Sequence, residues 1–206
     1  MALLHAAEIR PTKIELIREW APTQPWFEGD DLGLEIIGAY RFDDPDDEVG
    51  IETMLVRSGD GPILQVPVTY RGAPLAGAEE WLITTMEHSV LGTRWVYDAC
   101  GDPVYAAAIA TTILTGGTEA PLERDADGER SPVEPTVRVT GSGSTKGLDS
   151  IGLVDVRDHD GATLVITSVA EIEVLRIVGE AWAMGGNTLT GKWAGQDDPV
   201  LLAVAR

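Results

Sequence analysis

Three groups of residues in this sequence have types that could act on a substrate. Glu87, His88 and Ser89 set an acid, a base and a hydroxyl in one row. A nucleophilic relay needs each group within hydrogen-bond reach of the next. Consecutive strand residues point to opposite faces, so His88 cannot serve both neighbours, and a structural hydrogen bond is its expected role. Glu52 with Glu87 or Asp98 is the kind of carboxylate pair that glycosidic-bond chemistry uses. Among 34 Asp and Glu residues such pairs arise easily and carry little weight. Trp26, Trp81 and Trp95 offer flat faces on which a sugar ring stacks, with Glu87, Arg94 and Asp98 to bind its hydroxyls. Those six residues form the candidate ligand-binding set. Trp26 stands beside Phe27 in a loop, where such a pair more often plugs a helix end against a sheet, and that is the favoured role.

Loops that could hold ions or phosphates fail on context. Glu123, Asp125, Asp127, Gly128 and Glu134 have the spacing of a calcium loop, but Gly116-Gly117 ends the incoming helix and Pro132 and Pro135 precede a strand. An acidic linker is expected there. Residues 186–193 imitate a phosphate loop until Trp193 takes the place of the Ser/Thr that would hold magnesium, so a β-hairpin with Trp193 in the core is expected. Gly141-Ser142-Gly143-Ser144-Thr145-Lys146-Gly147 reads as a flexible connection, because no helix start follows it. Asp43 to Glu48 reads as a polar hairpin turn. Cys100 has no motif marking it as activated. No catalytic residue, metal ligand or cofactor is assigned.

The positioning elements follow from periodicity and capping. Ala2 to Ile9 reads as an edge strand, and Thr12 with Glu15 forms a capping box opening a helix with Ile14, Ile17 and Trp20 on one face, ending at Ala21-Pro22. Strands are expected over 34–42, 49–57, 63–71, 81–88 and 94–98. Val66, Val68 and Tyr70 fall on one face of the third, Gln65, Thr69 and Arg71 on the other, giving a half-buried strand; Pro67 cannot donate to a ladder and suggests a sheet edge or a bulge. Asp102 caps a helix with Pro103 at its first position, running to Gly116-Gly117. Residues 118–135, rich in charge and proline, read as a linker. Beyond it, short runs over 151–156, 163–169, 172–178, 187–193 and 200–205 and the pair Val137/Val139 are β, with a turn at Asp158-His159-Asp160-Gly161. The expected class is α+β: an antiparallel β-sheet with two flanking helices, followed by a β-rich C-terminal half. The expected units are 1–117, the linker 118–135, and 136–206, the last either separate or continuing the same sheet.

Composition sets the limits. A chain of 206 residues can bury roughly 70% of its unfolded surface and needs no staple. Cys100 is the single cysteine, and His5, His88 and His159 are far apart, which fits a reducing compartment and no zinc site. Fifteen Lys and Arg against 34 Asp and Glu give a net charge of −19, a field that repels nucleic acid and anionic lipid. The first residues lack a basic segment followed by a long apolar run, and no 18-residue apolar stretch spans a membrane, so a cytoplasmic protein is expected.

Trp20-Ala21-Pro22-Thr23-Gln24-Pro25-Trp26-Phe27, Val66-Pro67-Val68-Thr69-Tyr70-Arg71 and Val96-Tyr97-Asp98-Ala99-Cys100-Gly101-Asp102-Pro103 resemble the N-terminal cap domain of actinobacterial maltokinases, and most of all stand-alone proteins built around it. The likeness reaches about Gly117 and implies a curved antiparallel sheet with helices against it. In those kinases the cap sits on a lobe that phosphorylates maltose with ATP. These 206 residues hold no nucleotide-positioning lysine in a V-A-I-K-like strand and no catalytic aspartate followed by a metal-binding asparagine; His159-Asp160 is the nearest approach. The resemblance therefore implies an accessory module of α-glucan, maltose or trehalose metabolism, with maltokinase or trehalose synthase as partner. The alternative is a carbohydrate-binding module for maltooligosaccharides or trehalose. A homodimer is open.

Overall fold

The structure, a computed structural model, describes residues 2–5, 7–30, 33–126, 129–148, 150–159, 161–179 and 185–206. Strands β1 (Ala2–His5) and β2 (Ile9–Arg10) precede helix α1 (Lys13–Trp20). Then come β3 (Leu34–Phe42), β4 (Gly50–Ser58), β5 (Ile63–Arg71), β6 (Leu82–His88) and β7 (Gly92–Asp98). Helix α2 (Pro103–Thr115) leads to β8 (Leu122–Ala126) and β9 (Glu129–Val133). The remainder is strand: β10 (Val137–Gly141), β11 (Leu153–His159), β12 (Ala162–Thr167), β13 (Glu171–Leu175), β14 (Ile177–Val178), β15 (Asn187–Trp193) and β16 (Gln196–Ala205). Antiparallel pairing dominates, with two α-helices among the described residues, so the class is α+β with a heavy β share.

One sheet has the order β2-β6-β7-β5-β4-β3 with β14 added on β5; a second runs β10-β15-β16-β13-β12-β11. The third joins β1, parallel, to the β8–β9 hairpin, within the stretch expected as a linker. The calcium-like loop falls at that hairpin's turn; Asp127 and Gly128 lie outside the described residues, as does Asp160 of the 158–161 turn.

The first sheet carries a core on each face, as alternation requires. Met54 and Val56 join Leu16, Ile17 and Trp26 on one side. Leu55, Tyr40 and Phe42 join α2 (Tyr105, Ile109, Ile113) and the second sheet (Val165, Val174, Leu202) on the other. The capping box is formed, with Thr12 N–H donating to Glu15 Oε2 at 2.8 Å, and Leu16 joins Ile17 as the buried part of α1.

Strand β5 corrects two expectations. It is buried on both faces, because its polar side meets other elements: Gln65 Nε2 donates to the carbonyls of Leu175 and Leu202 at 2.8 and 3.0 Å. Nor is it an edge. It lies between β4 and two partial neighbours, β14 opposite Ile63 and Leu64 and β7 opposite Val68 to Arg71. Gln65 N–H points to that side, bonding Arg176 O at 2.8 Å, so Pro67, two residues on, faces the gap where neither neighbour needs a donor.

The run expected as one strand over 172–178 breaks at Arg176. Its first part, β13, belongs to the second sheet and its last part, β14, to the first. Arg176 is fully buried at that crossing.

The glycine-rich stretch 141–147 has a definite task. Helix α2 ends with Gly116 at φ 74°, and its last carbonyls need donors. Gly117 N–H serves Thr112 O, Gly143 N–H serves Ile113 O and Thr145 N–H serves Leu114 O, at 2.8 to 2.9 Å. It is a cap rather than the flexible connection expected. Residues 187–193 form the hairpin strand β15, with Trp193 half-buried against the main core rather than within it.

Candidate functional site

Asp44 builds one wall of a cleft at one end of the first sheet. Its carboxylate accepts the backbone N–H groups of Asp46, Glu48 and Val49 at 2.9 to 3.1 Å, fixing the acidic turn between β3 and β4. The cleft has a volume of about 530 Å³ between that turn, the start of α1 and the β6–β7 hairpin. Lys13, Arg41, Tyr70 and Arg94 line it together with Asp43 and Glu48. His88 Nδ1 accepts the N–H groups of Val90 and Leu91 at 3.2 and 3.1 Å, so the imidazole shapes its own turn.

Glu52 lies beneath this cleft. Lys13 Nζ is 2.6 Å from its Oε2, Tyr70 OH donates to Oε2 at 2.9 Å, and Arg41 Nη2 is 3.4 Å from Oε1. Burial opposes ionisation, but Arg41, Lys13 and the Tyr70 hydroxyl outweigh it and hold the carboxyl at about 2, below its ordinary 4.5. Burial and the Glu52 charge push the Tyr70 phenol up. Glu52 thus meets cations and a phenol, and neither Glu87 nor Asp98 is among these partners.

This arrangement predicts an acid-dependent stability. An unfolded Glu52 takes up a proton near pH 4.5, whereas the folded one resists until about pH 2. The contribution, about 3 kcal/mol at most, is complete above pH 4.5 and lost as pH falls through 2. Urea unfolding of the wild type from pH 5 to 2 is expected to show that slope and Glu52→Gln to flatten it; parallel curves would remove Glu52 as the cause.

The six candidate residues fall in separate places. Arg94 lines the cleft, with Nη2 donating to Leu91 O at 2.6 Å. Glu87, exposed on β6, accepts the Thr93 hydroxyl at 2.8 Å. Trp95 is half-buried on β7 opposite Arg71 and Thr85. Trp81 lies over Gly101, where an added Cβ would come within 2.0 Å of its ring. Trp26 and Asp98 are interior residues brought together by Arg176. Its guanidinium covers the Trp26 ring at 4.9 Å and donates to Asp98 Oδ2 at 2.6 Å and to Thr163 Oγ1 at 2.8 Å. Trp26, 3% exposed, also meets Trp20 edge-on at 5.6 Å, which is the geometry of a plug. Burial pushes the Asp98 carboxyl up, opposed by the Arg176 charge and the Cys100 N–H; burial pushes the Cys100 thiol up as well.

Asp102 is the third buried acid among the described residues. It caps α2 through Val104 N–H at 2.9 Å and receives Arg71 in a bidentate pair, both distances 2.6 Å, and Thr69 Oγ1 at 2.7 Å. Lys13, Arg41, Tyr70 and Arg176 were not singled out from sequence. Two signals point to them: Glu52 inside a strand that continues Thr-Met-Leu-Val, and Arg176 inside Val-Leu-Arg-Ile-Val. A charge in an apolar run requires a buried partner. Among the described residues no group of three or more His, Cys, Asp and Glu is placed to hold a metal ion. No described helix is long and apolar enough to cross a membrane.

A curled antiparallel sheet, with its inward carboxylates neutralised by Lys and Arg and a helix capped against it, defines an α+β scaffold domain built on internal ion pairs. Residues 20–102 match the family model for the maltokinase N-terminal cap domain, and the chain carries a maltokinase cap-like domain over that span. The match covers the sheet from before β3 to the start of α2 and includes the buried acids Glu52, Asp98 and Asp102. No curated protein matches the chain.

Proposed function

We propose that this is a non-catalytic, cytoplasmic accessory module in which the cap-like sheet, flanked by its two helices, works through contact with a protein of α-glucan, maltose or trehalose metabolism. One observation carries the reading. The three buried acids among the described residues of the matched segment are all taken up in structure: Glu52 by Lys13 and Arg41, Asp98 by Arg176, and Asp102 by Arg71. A general acid or base needs a carboxyl in reach of substrate with its proton free to move, and these carboxyls serve cations of the fold. Maltokinase and trehalose synthase are the proposed partners. Gel filtration of the full chain with each enzyme, followed by activity measurement, is expected to give a co-eluting complex with altered turnover. Separate elution with unchanged activity of both enzymes removes the reading.

The cleft favours a second reading, a carbohydrate module. Arginine, carboxylates and Tyr70 around about 530 Å³ suit the hydroxyls of maltooligosaccharides or trehalose. Arg94 is the candidate inside it, with Trp81, Trp95 and Glu87 outside. Calorimetric titration with maltotriose and trehalose is expected to give saturable heat that Arg94→Ala abolishes; flat traces at millimolar sugar exclude it.

A further inference from the structure

The second sheet ends on β11, whose one strand neighbour among the described residues is β12. A groove of about 360 Å³ runs beside it, with Leu153, Val154, Asp155 and Val156 on one side and Leu75 and Trp81 on the other. Successive strand residues point to opposite faces, so a groove that touches four in a row lies along the strand's edge, where backbone donors and acceptors are presented. The register against β12 slips between Leu153 and Asp155, which leaves Val154 out of the ladder and 67% exposed.

The polar groups at this edge are telling. Val156 N–H donates to Asp155 Oδ1 at 2.9 Å, a side-chain carboxylate in the place that the carbonyl of a further strand would take. The same carboxylate receives Arg157 Nε at 2.8 Å. Glu80 and Asp155 are the charged groups lining the groove, and the described lining has no Lys, Arg or His. A net charge of −19 makes a second copy of the chain an unfavourable occupant and a basic one favourable.

From these observations we infer that the β11 edge receives an extended basic segment of another protein, which adds as a seventh strand. A backbone carbonyl of that segment takes over Val156 N–H. Glu80 pairs with its Lys or Arg side chains, Asp155 stays with Arg157 at 2.6 Å, and apolar side chains of the segment lie on Val154 and Trp81. This rests on the reading that the chain acts by contact, and names the surface and the chemistry of what it contacts.

The test uses the full chain and three fluorescent octapeptides: alternating valine and lysine, the same peptide with glutamate for lysine, and the valine–lysine peptide N-methylated on alternate residues. Anisotropy is expected to show the first binding at least tenfold more tightly than either of the others, with amide shifts confined to residues 153–157 and the Trp81 indole. N-methylation leaves charge unchanged, so equal binding of the methylated peptide reduces the interaction to charge attraction and overturns strand addition. Shifts elsewhere, or no binding, do the same. Val154→Lys, at an exposed position, is expected to weaken the first peptide tenfold and to abolish binding of maltokinase or trehalose synthase. Enzyme binding that survives Val154→Lys overturns the β11 edge and keeps the contact reading; peptide binding at β11 with neither enzyme bound keeps the edge and removes those two partners. Self-association in sedimentation that Val154→Lys abolishes makes a second copy the occupant and overturns the basic partner.

Discussion

Arg176→Met is expected to destabilise the chain by about 3–5 kcal/mol, because it leaves Asp98 buried without its cation. Few single changes elsewhere should match it. Arg176 is fully buried, holds Asp98 at 2.6 Å and Thr163 at 2.8 Å, and covers the Trp26 ring. The charge itself contributes less than its loss would suggest, since burying two ions is costly and their attraction mainly offsets that cost. The double variant Arg176→Met/Asp98→Asn, which keeps an acceptor for Cys100 N–H, is therefore expected to lose clearly less than the sum of the two single losses. Because the chain crosses between the sheets at Arg176, tryptophan fluorescence and far-ultraviolet dichroism should report one shared urea transition, moved to lower denaturant in the variant. Additive single losses, or a loss under about 1 kcal/mol for Arg176→Met, would show that the pair does not hold the sheets.

Gly141→Ala should be nearly as damaging, for a steric reason. A Cβ there would lie 2.0 Å from Thr112 O and 2.9 Å from Thr112 C, and both atoms belong to the backbone of α2. Backbone cannot rotate away as a side chain can. The strand must shift, and Gly141 N–H to Gly117 O and Gly143 N–H to Ile113 O are lost with it. A loss of about 3 kcal/mol follows from overpacking together with unmet helix carbonyls. Gly147→Ala is the control: φ is 65° but nothing lies within 4 Å, so about 1 kcal/mol is expected from backbone strain alone. Equal losses in the two variants, measured by urea unfolding, would remove the capping role of residues 141–145.

What was legible in the sequence is local. The capping box at Thr12 and Glu15 and the start of α2 at Asp102-Pro103 depend on neighbours one to three residues apart, and both stand as read. The strand runs of the first sheet were legible for the same reason, since alternation is a property of a single segment. Partners distant in the chain were not. Gln65, Thr69 and Arg71 read as a solvent face, yet they meet Leu175, Leu202 and Asp102, up to 137 positions away. Period-two alternation tells which residues share a face but not what covers it. Pro67 misled in the same way: it reports a missing donor, which an edge or a gap between half-length neighbours satisfies equally well. The run 172–178 looked continuous because both pieces are apolar; only the charge of Arg176 in its middle marks the change of sheet. Of the candidate ligand residues, Trp26 and Asp98 are conspicuous in sequence because the interior needs them.

The proposed action by contact rather than by phosphoryl transfer is decided by incubating the full chain with radiolabelled ATP, magnesium and maltose, maltotriose or trehalose, and then separating the sugars. The expected result is label in sugar no greater than in a chain-free control. Labelled sugar phosphate that accumulates in proportion to chain concentration contradicts the claim.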